Sequence, residues 1–85
     1  MNASEVCVDL LAYIELQNSA YALDCTNRIE FYGLSYDAHM LLKIIRIEIN
    51  GASATKNGVT VKRHWDRALD HARELQTLIA KNTSL

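Results

Sequence analysis

The side chains able to do chemistry are few in this 85-residue chain: three histidines, two cysteines and scattered carboxylates. His71 and Glu74 stand one helical turn apart, and His64 lies two turns earlier on a neighbouring line. Metal centres in helical bundles draw such pairs from several helices at once. Here one segment supplies one pair, and neither HExxH nor CxxC occurs, so no metal and no cofactor is expected. Cys25 has no histidine near it in sequence and falls on an apolar face, where a thiol is harder to ionise and a poor nucleophile. Serine, histidine and aspartate all occur, but no nucleophile elbow or oxyanion motif frames them. Two glycines punctuate Gly51 to Gly58 without the GxxxxGK[ST] pattern of a phosphate loop. The expectation is a protein without enzymatic activity.

Binding residues are easier to nominate. Lys56, Lys62, Arg63, His64 and Arg67 cluster around Trp65, a combination suited to phosphates or to an acidic protein partner. Asp66 and Asp70 dilute the cluster, and nine Lys plus Arg against ten Asp plus Glu leave a net charge of −1. A chain living on phosphate contacts normally carries a basic excess, so nucleic acid is disfavoured, though a regulator using Lys62, Arg63 and Arg67 stays as an alternative. Gln17, Asp24 and Arg28 interrupt an otherwise apolar stripe in the first third of the chain. Polar groups on a packed face set register or partner choice, which nominates these three as partner-binding or register residues. A second alternative is a small-molecule pocket between helices, lined by Tyr13, Tyr21, Tyr32 and Tyr36.

The elements that position these residues follow from the apolar periodicity. Proline is absent and glycine occurs only three times, so long helices meet few breakers. Asn2 is a good N-cap with Glu5 three residues on, and Gly33 suits a left-handed C-cap. Between them Cys7, Leu10, Ile14, Tyr21, Cys25 and Tyr32 fall on one helical stripe, which predicts a single helix from Ala3 to Tyr32, about 45 Å long. A break near Asn18-Ser19 or Thr26-Asn27 is the competing possibility, because those residues favour caps. On an unbroken helix Cys7 and Cys25 share a face about 27 Å apart, too far for a disulfide.

Ser35 caps a second helix that Asn50-Gly51 should stop. Its polar positions, His39, Lys43, Arg46 and Asn50, form one narrow stripe on an otherwise apolar surface, the pattern of a helix buried on most sides. The alternation from Ile45 to Ile49 also fits a strand pairing with Val59 to Val61 across the loop. The third helix, from about Val61 to Lys81 with Thr60 as its cap, carries a heptad seam of Val61, Trp65, Ala68, Ala72, Leu75 and Ile79.

The predicted fold is therefore all-α: one domain over residues 1–85, a three-helix antiparallel bundle with a long first helix, a short buried second and an amphipathic third. The first helix exposes more apolar surface than the other two cover, which predicts completion by a homodimer, the first helices crossing antiparallel. The ends carry no secretory signal pattern and no run long enough to span a membrane, so a cytoplasmic location is expected. The function this predicts is that of a small interaction protein, a regulator, inhibitor or accessory subunit, acting on an unknown protein partner through helix surfaces.

Overall fold

Four helices build the chain in the computed structural model, which describes residues 2–83 and their side chains as far as 81. They are α1 (Ala3–Glu15), α2 (Ser19–Glu30), α3 (Tyr36–Ala54) and α4 (Gly58–Thr83). The predicted all-α class holds, and among the described residues there is no strand, so the alternating Ile45-to-Ile49 segment is helical. The predicted count of three helices does not hold, because the long first helix is two.

The break lies at Leu16-Gln17-Asn18. Gln17 adopts a left-handed conformation with φ 53°. Its N–H donates to the Ile14 carbonyl at 2.9 Å, and the Asn18 N–H donates to the Tyr13 carbonyl at 2.9 Å. This is the paired bond pattern of a Schellman motif, with glutamine where glycine is usual. Asn18 then caps the next helix, its side chain accepting from the Tyr21 N–H. The chain reverses, and Tyr13 stacks on Tyr21 across the turn with ring centroids 5.1 Å apart.

The predicted stop at Gly51 does not hold either. Helix α3 runs through it to Ala54, and Asn57 caps α4 in place of Thr60, accepting from the Thr60 N–H at 3.1 Å. The predicted caps at Asn2 and Ser35 are present, each accepting a backbone N–H three residues on. Gly33 is left-handed, as its type suggested, with φ 66°.

Each helix packs on two neighbours: α1 on α2 and α4, and α3 on α2 and α4. The result is a four-helix ring 43 Å long and 21 by 16 Å across. Its core draws one stripe from every helix. Val6, Cys7, Leu10 and Ile14 come from α1; Ala22, Cys25 and Ile29 from α2; Leu42, Ile45 and Ile49 from α3. The α4 seam of Trp65, Ala68, Ala72, Leu75 and Ile79 is buried as the heptad spacing predicts, while its first member, Val61, is only half-buried. Folding α1 back against α2 covers much of the apolar surface that an unbroken helix would have left for a second copy. The dimer geometry with crossed first helices therefore loses its basis.

Candidate functional site

Where α2 meets α3, Arg46 forms a clasp. Its Nε donates to Thr26 Oγ1 at 3.1 Å, and Nη2 donates to the Thr26 carbonyl, to Asn27 Oδ1 and to Glu30 Oε2 at 2.9 Å. Nη1 completes a two-oxygen grip on Glu30 at 3.3 Å. Thr26 is the one buried polar side chain among the described residues, and its hydroxyl donates to the Leu23 carbonyl at 2.6 Å while accepting from Arg46. The Arg46 guanidinium holds the Glu30 carboxyl below its ordinary range, with a smaller push from His39, 3.7 Å away. Two members of the polar stripe seen on α3, His39 and Arg46, thus face α2 across a helix contact.

A second polar contact joins α3 to α4. His64 Nδ1 lies 2.9 Å from Glu48 Oε2, and both side chains are mostly covered. The ring lies flat over Gly51: a Cβ there would come within 2.7 Å of His64 Cε1. Gly51 is therefore a packing glycine inside a helix, and the imidazole occupies the space its side chain would need. His71 Nδ1 is buried 3.6 Å from Glu74 Oε2, beyond hydrogen-bond reach. Among the described residues no three His, Cys, Asp or Glu side chains gather as metal ligands would.

The cysteines correct the sequence reading most sharply. Because α1 folds back on α2, Cys7 and Cys25 lie near enough to act on one another electrostatically instead of standing five turns apart. Both are fully buried free thiols. Burial first, and then the field of Cys25, pushes the Cys7 thiol up from 9.0 to about 11. Burial raises Cys25 too, partly offset by Arg28, whose guanidinium donates to its Sγ at 3.5 Å. Neither is a ready nucleophile.

The six residues nominated as partner-binding or register residues do not converge. Gln17 is the left-handed turn residue, outside any helix face. Asp24 and Arg28 pair with each other at 3.4 Å on the exposed side of α2. On α4, Lys62 is held by Asp66 at 2.9 Å, and Arg63 and Arg67 are exposed. Trp65 turns into the core and leaves the basic cluster without its aromatic. The tyrosines do not line one pocket: Tyr13 and Tyr21 stack at the α1–α2 turn, whereas Tyr32 and Tyr36 stand at the opposite end beside the α2–α3 corner.

What the structure brings together instead is apolar and lies on the outside of α3. Tyr36, Met40, Ile44 and Ile47 step by four, four and three, so they form one line along the helix, with Ile44 half-buried toward α4. Tyr36 is 75% exposed, Ile47 62% and Met40 37%. Beside them runs an open groove of about 550 Å³ between α3 and α4, floored by Met40, Leu41, Ile44 and Leu78 and rimmed by Asp37, Glu74 and Lys81. The signal for this face was present in the sequence, since α3 is apolar on nearly all sides and only one polar stripe interrupts it. Which of its sides would lack a neighbour was not. The chain matches no protein family, and no curated protein or solved structure is found to be similar to it.

Proposed function

We propose that this chain is a non-enzymatic helical interaction protein of the cytoplasm, a regulator, inhibitor or accessory subunit that works as a homodimer and meets a further protein partner through its helix surfaces. One observation carries the reading: the line of Tyr36, Met40 and Ile47 on α3, exposed although the chain has a packed core of its own. Contiguous exposed apolar surface on a small, well-packed domain marks a place where another surface sits. The nucleic-acid alternative draws less support, because Lys62 is already neutralised by Asp66 and Trp65 is buried.

The test is analytical ultracentrifugation of untagged protein over a thousandfold concentration range, with native mass spectrometry of protein isolated from its source cell. A concentration-dependent dimer with a co-purifying protein supports the reading. A species that stays monomeric up to several hundred micromolar, carrying a small molecule or metal, refutes it.

A further inference from the structure

The chain carries two asparagine-glycine pairs, Asn50-Gly51 and Asn57-Gly58, and the fold treats them in opposite ways. Such a pair is chemically labile, because glycine sets no side chain in the path by which its nitrogen can attack the asparagine carboxamide. The attack needs an accessible carboxamide and a backbone nitrogen that no helix holds. Asn50-Gly51 has neither freedom. It lies inside α3, where the hydrogen-bond ladder ties the Gly51 nitrogen, and the His64 ring packs over Gly51, 2.7 Å from the place a Cβ would take. Asn57 is exposed and lies between α3 and α4. Its Oδ1 accepts from the Thr60 N–H at 3.1 Å, and the Val61 N–H donates to its carbonyl at 2.9 Å. The Gly58 nitrogen therefore stands ahead of the α4 ladder, among the first N–H groups of the helix, which have no partner within it. The space around Gly58 is open as well: nothing lies within 4 Å of the place a Cβ would take.

We propose that Asn57 is a site of spontaneous modification, deamidating through a cyclic imide with Gly58, while Asn50 stays intact in the folded chain. Hydroxide takes the proton of the Gly58 N–H, and that nitrogen attacks Asn57 Cγ to form a new C–N bond. The negative charge develops on Oδ1, the atom that already accepts from the Thr60 N–H. Collapse breaks the Cγ–Nδ2 bond, and the amine leaves as ammonia with a proton from water. Water then opens the imide at one of its two carbonyls. Opening at Cγ leaves aspartate; opening at the main-chain carbonyl leaves isoaspartate, with the backbone running through the former side chain. The net change is one water taken up and one ammonia released, so water is the only co-reactant. The two products act differently on α4. Aspartate still caps the helix and adds a negative charge where the helix dipole favours it. Isoaspartate inserts a methylene into the backbone and displaces the carbonyl that Val61 bonds, so the first turn of α4 loses its anchor.

Trypsin reads the two sites separately, because cleavage after Arg46, Lys56 and Lys62 places them in peptides 47–56 and 57–62. Folded protein is held at mildly alkaline pH, digested and followed by liquid chromatography with mass spectrometry. Peptide 57–62 should pass from amide to acid as two separable products of equal mass, at least about tenfold faster than peptide 47–56. Gly58→Ala should slow that conversion at least about tenfold and leave the helical circular dichroism intact, since its Cβ meets nothing. Unfolding in guanidinium should bring peptide 47–56 to a rate comparable with that of peptide 57–62. If both peptides are silent in the folded chain and both react once it is unfolded, the Thr60 bond restrains the Asn57 carboxamide and the proposal fails. Equal conversion of the two in the folded chain overturns the protection of Asn50, and conversion untouched by Gly58→Ala overturns the cyclic route.

Discussion

Replacing Gly51 by alanine should destabilise this protein although it removes a glycine from the interior of a helix. Propensity alone favours alanine by about 1 kcal/mol there. Against that stands the His64 ring, with Cε1 2.7 Å and both nitrogens 3.0 Å from the position the new Cβ would take. Ordinary carbon contacts need about 3.5 Å, so the ring must retreat by roughly 0.8 Å. Its Nδ1 is held 2.9 Å from Glu48 Oε2, and a retreat of that size takes the pair out of hydrogen-bond range. Losing a partly covered hydrogen bond costs about 1–1.5 kcal/mol, and forcing an extra carbon into a packed contact about 1–3 kcal/mol. The balance is a net loss of about 1–3.5 kcal/mol, which lowers Tm by at least roughly 5 °C for a domain of this size. In a His64→Ala background the obstacle is gone, and the same Gly51→Ala change should stabilise by about 1 kcal/mol. The assay is urea unfolding followed by circular dichroism, below the dimer concentration range, on the four proteins of this cycle. If Gly51→Ala stabilises the chain with His64 in place, the imidazole is not seated as described and the account of this glycine fails.

The Arg46 clasp should behave as a unit: Arg46→Met is expected to cost about 2–3 kcal/mol, and a double-mutant cycle with Glu30→Gln should show coupling. Glu30 has its folded pKa lowered from 4.5, so its contribution is present above 4.5 and disappears as pH falls through the lower folded value. An acid titration of unfolding should show that loss in the native chain and not in Arg46→Met. The two thiols should resist a chromogenic disulfide reagent at pH 8 and both react once urea unfolds the chain. With the Cys7 pKa raised from 9.0 to about 11, its share of stability is complete below 9.0 and drains away as pH climbs toward 11. Finally, Gln17→Gly should stabilise by about 0.5–1 kcal/mol in thermal unfolding, because Gln17 holds a left-handed φ that glycine adopts freely. A neutral or harmful effect there would mean its side chain has a role in the turn.

How far the sequence could be read differs by element. Helix α4 was legible because its heptad seam states one period for six residues and its other faces are charged. The caps at Asn2 and Ser35 were legible because their side chains bond the backbone three residues on, a local interaction. The α1–α2 reversal was only half legible. Asn18 advertised a cap, but the left-handed residue before it is a glutamine, which carries no turn signal, and the apolar stripe continues in phase across the break. Gly51 misled in the opposite direction: a glycine after asparagine looks like a helix end, and only the His64 ring arriving from a distant helix explains why a side chain is excluded there. The nominated residues Gln17, Asp24 and Arg28 were chosen on the premise of one unbroken helix, and their grouping dissolves with it.

The sequence by itself determined that the chain is helical, where α1 and α3 begin, and which line of α4 enters the core. These are properties of neighbours within about a turn, where periodicity and capping operate. The tertiary structure alone decided that Cys7 comes near Cys25, that Arg46 clasps Thr26 and Glu30, and that the Tyr36-to-Ile47 line is left uncovered. Each depends on which helix lies beside which. That choice follows from the reversal at Gln17, one left-handed residue stabilised by two backbone hydrogen bonds, and it leaves no mark in the spacing of side chains along the chain.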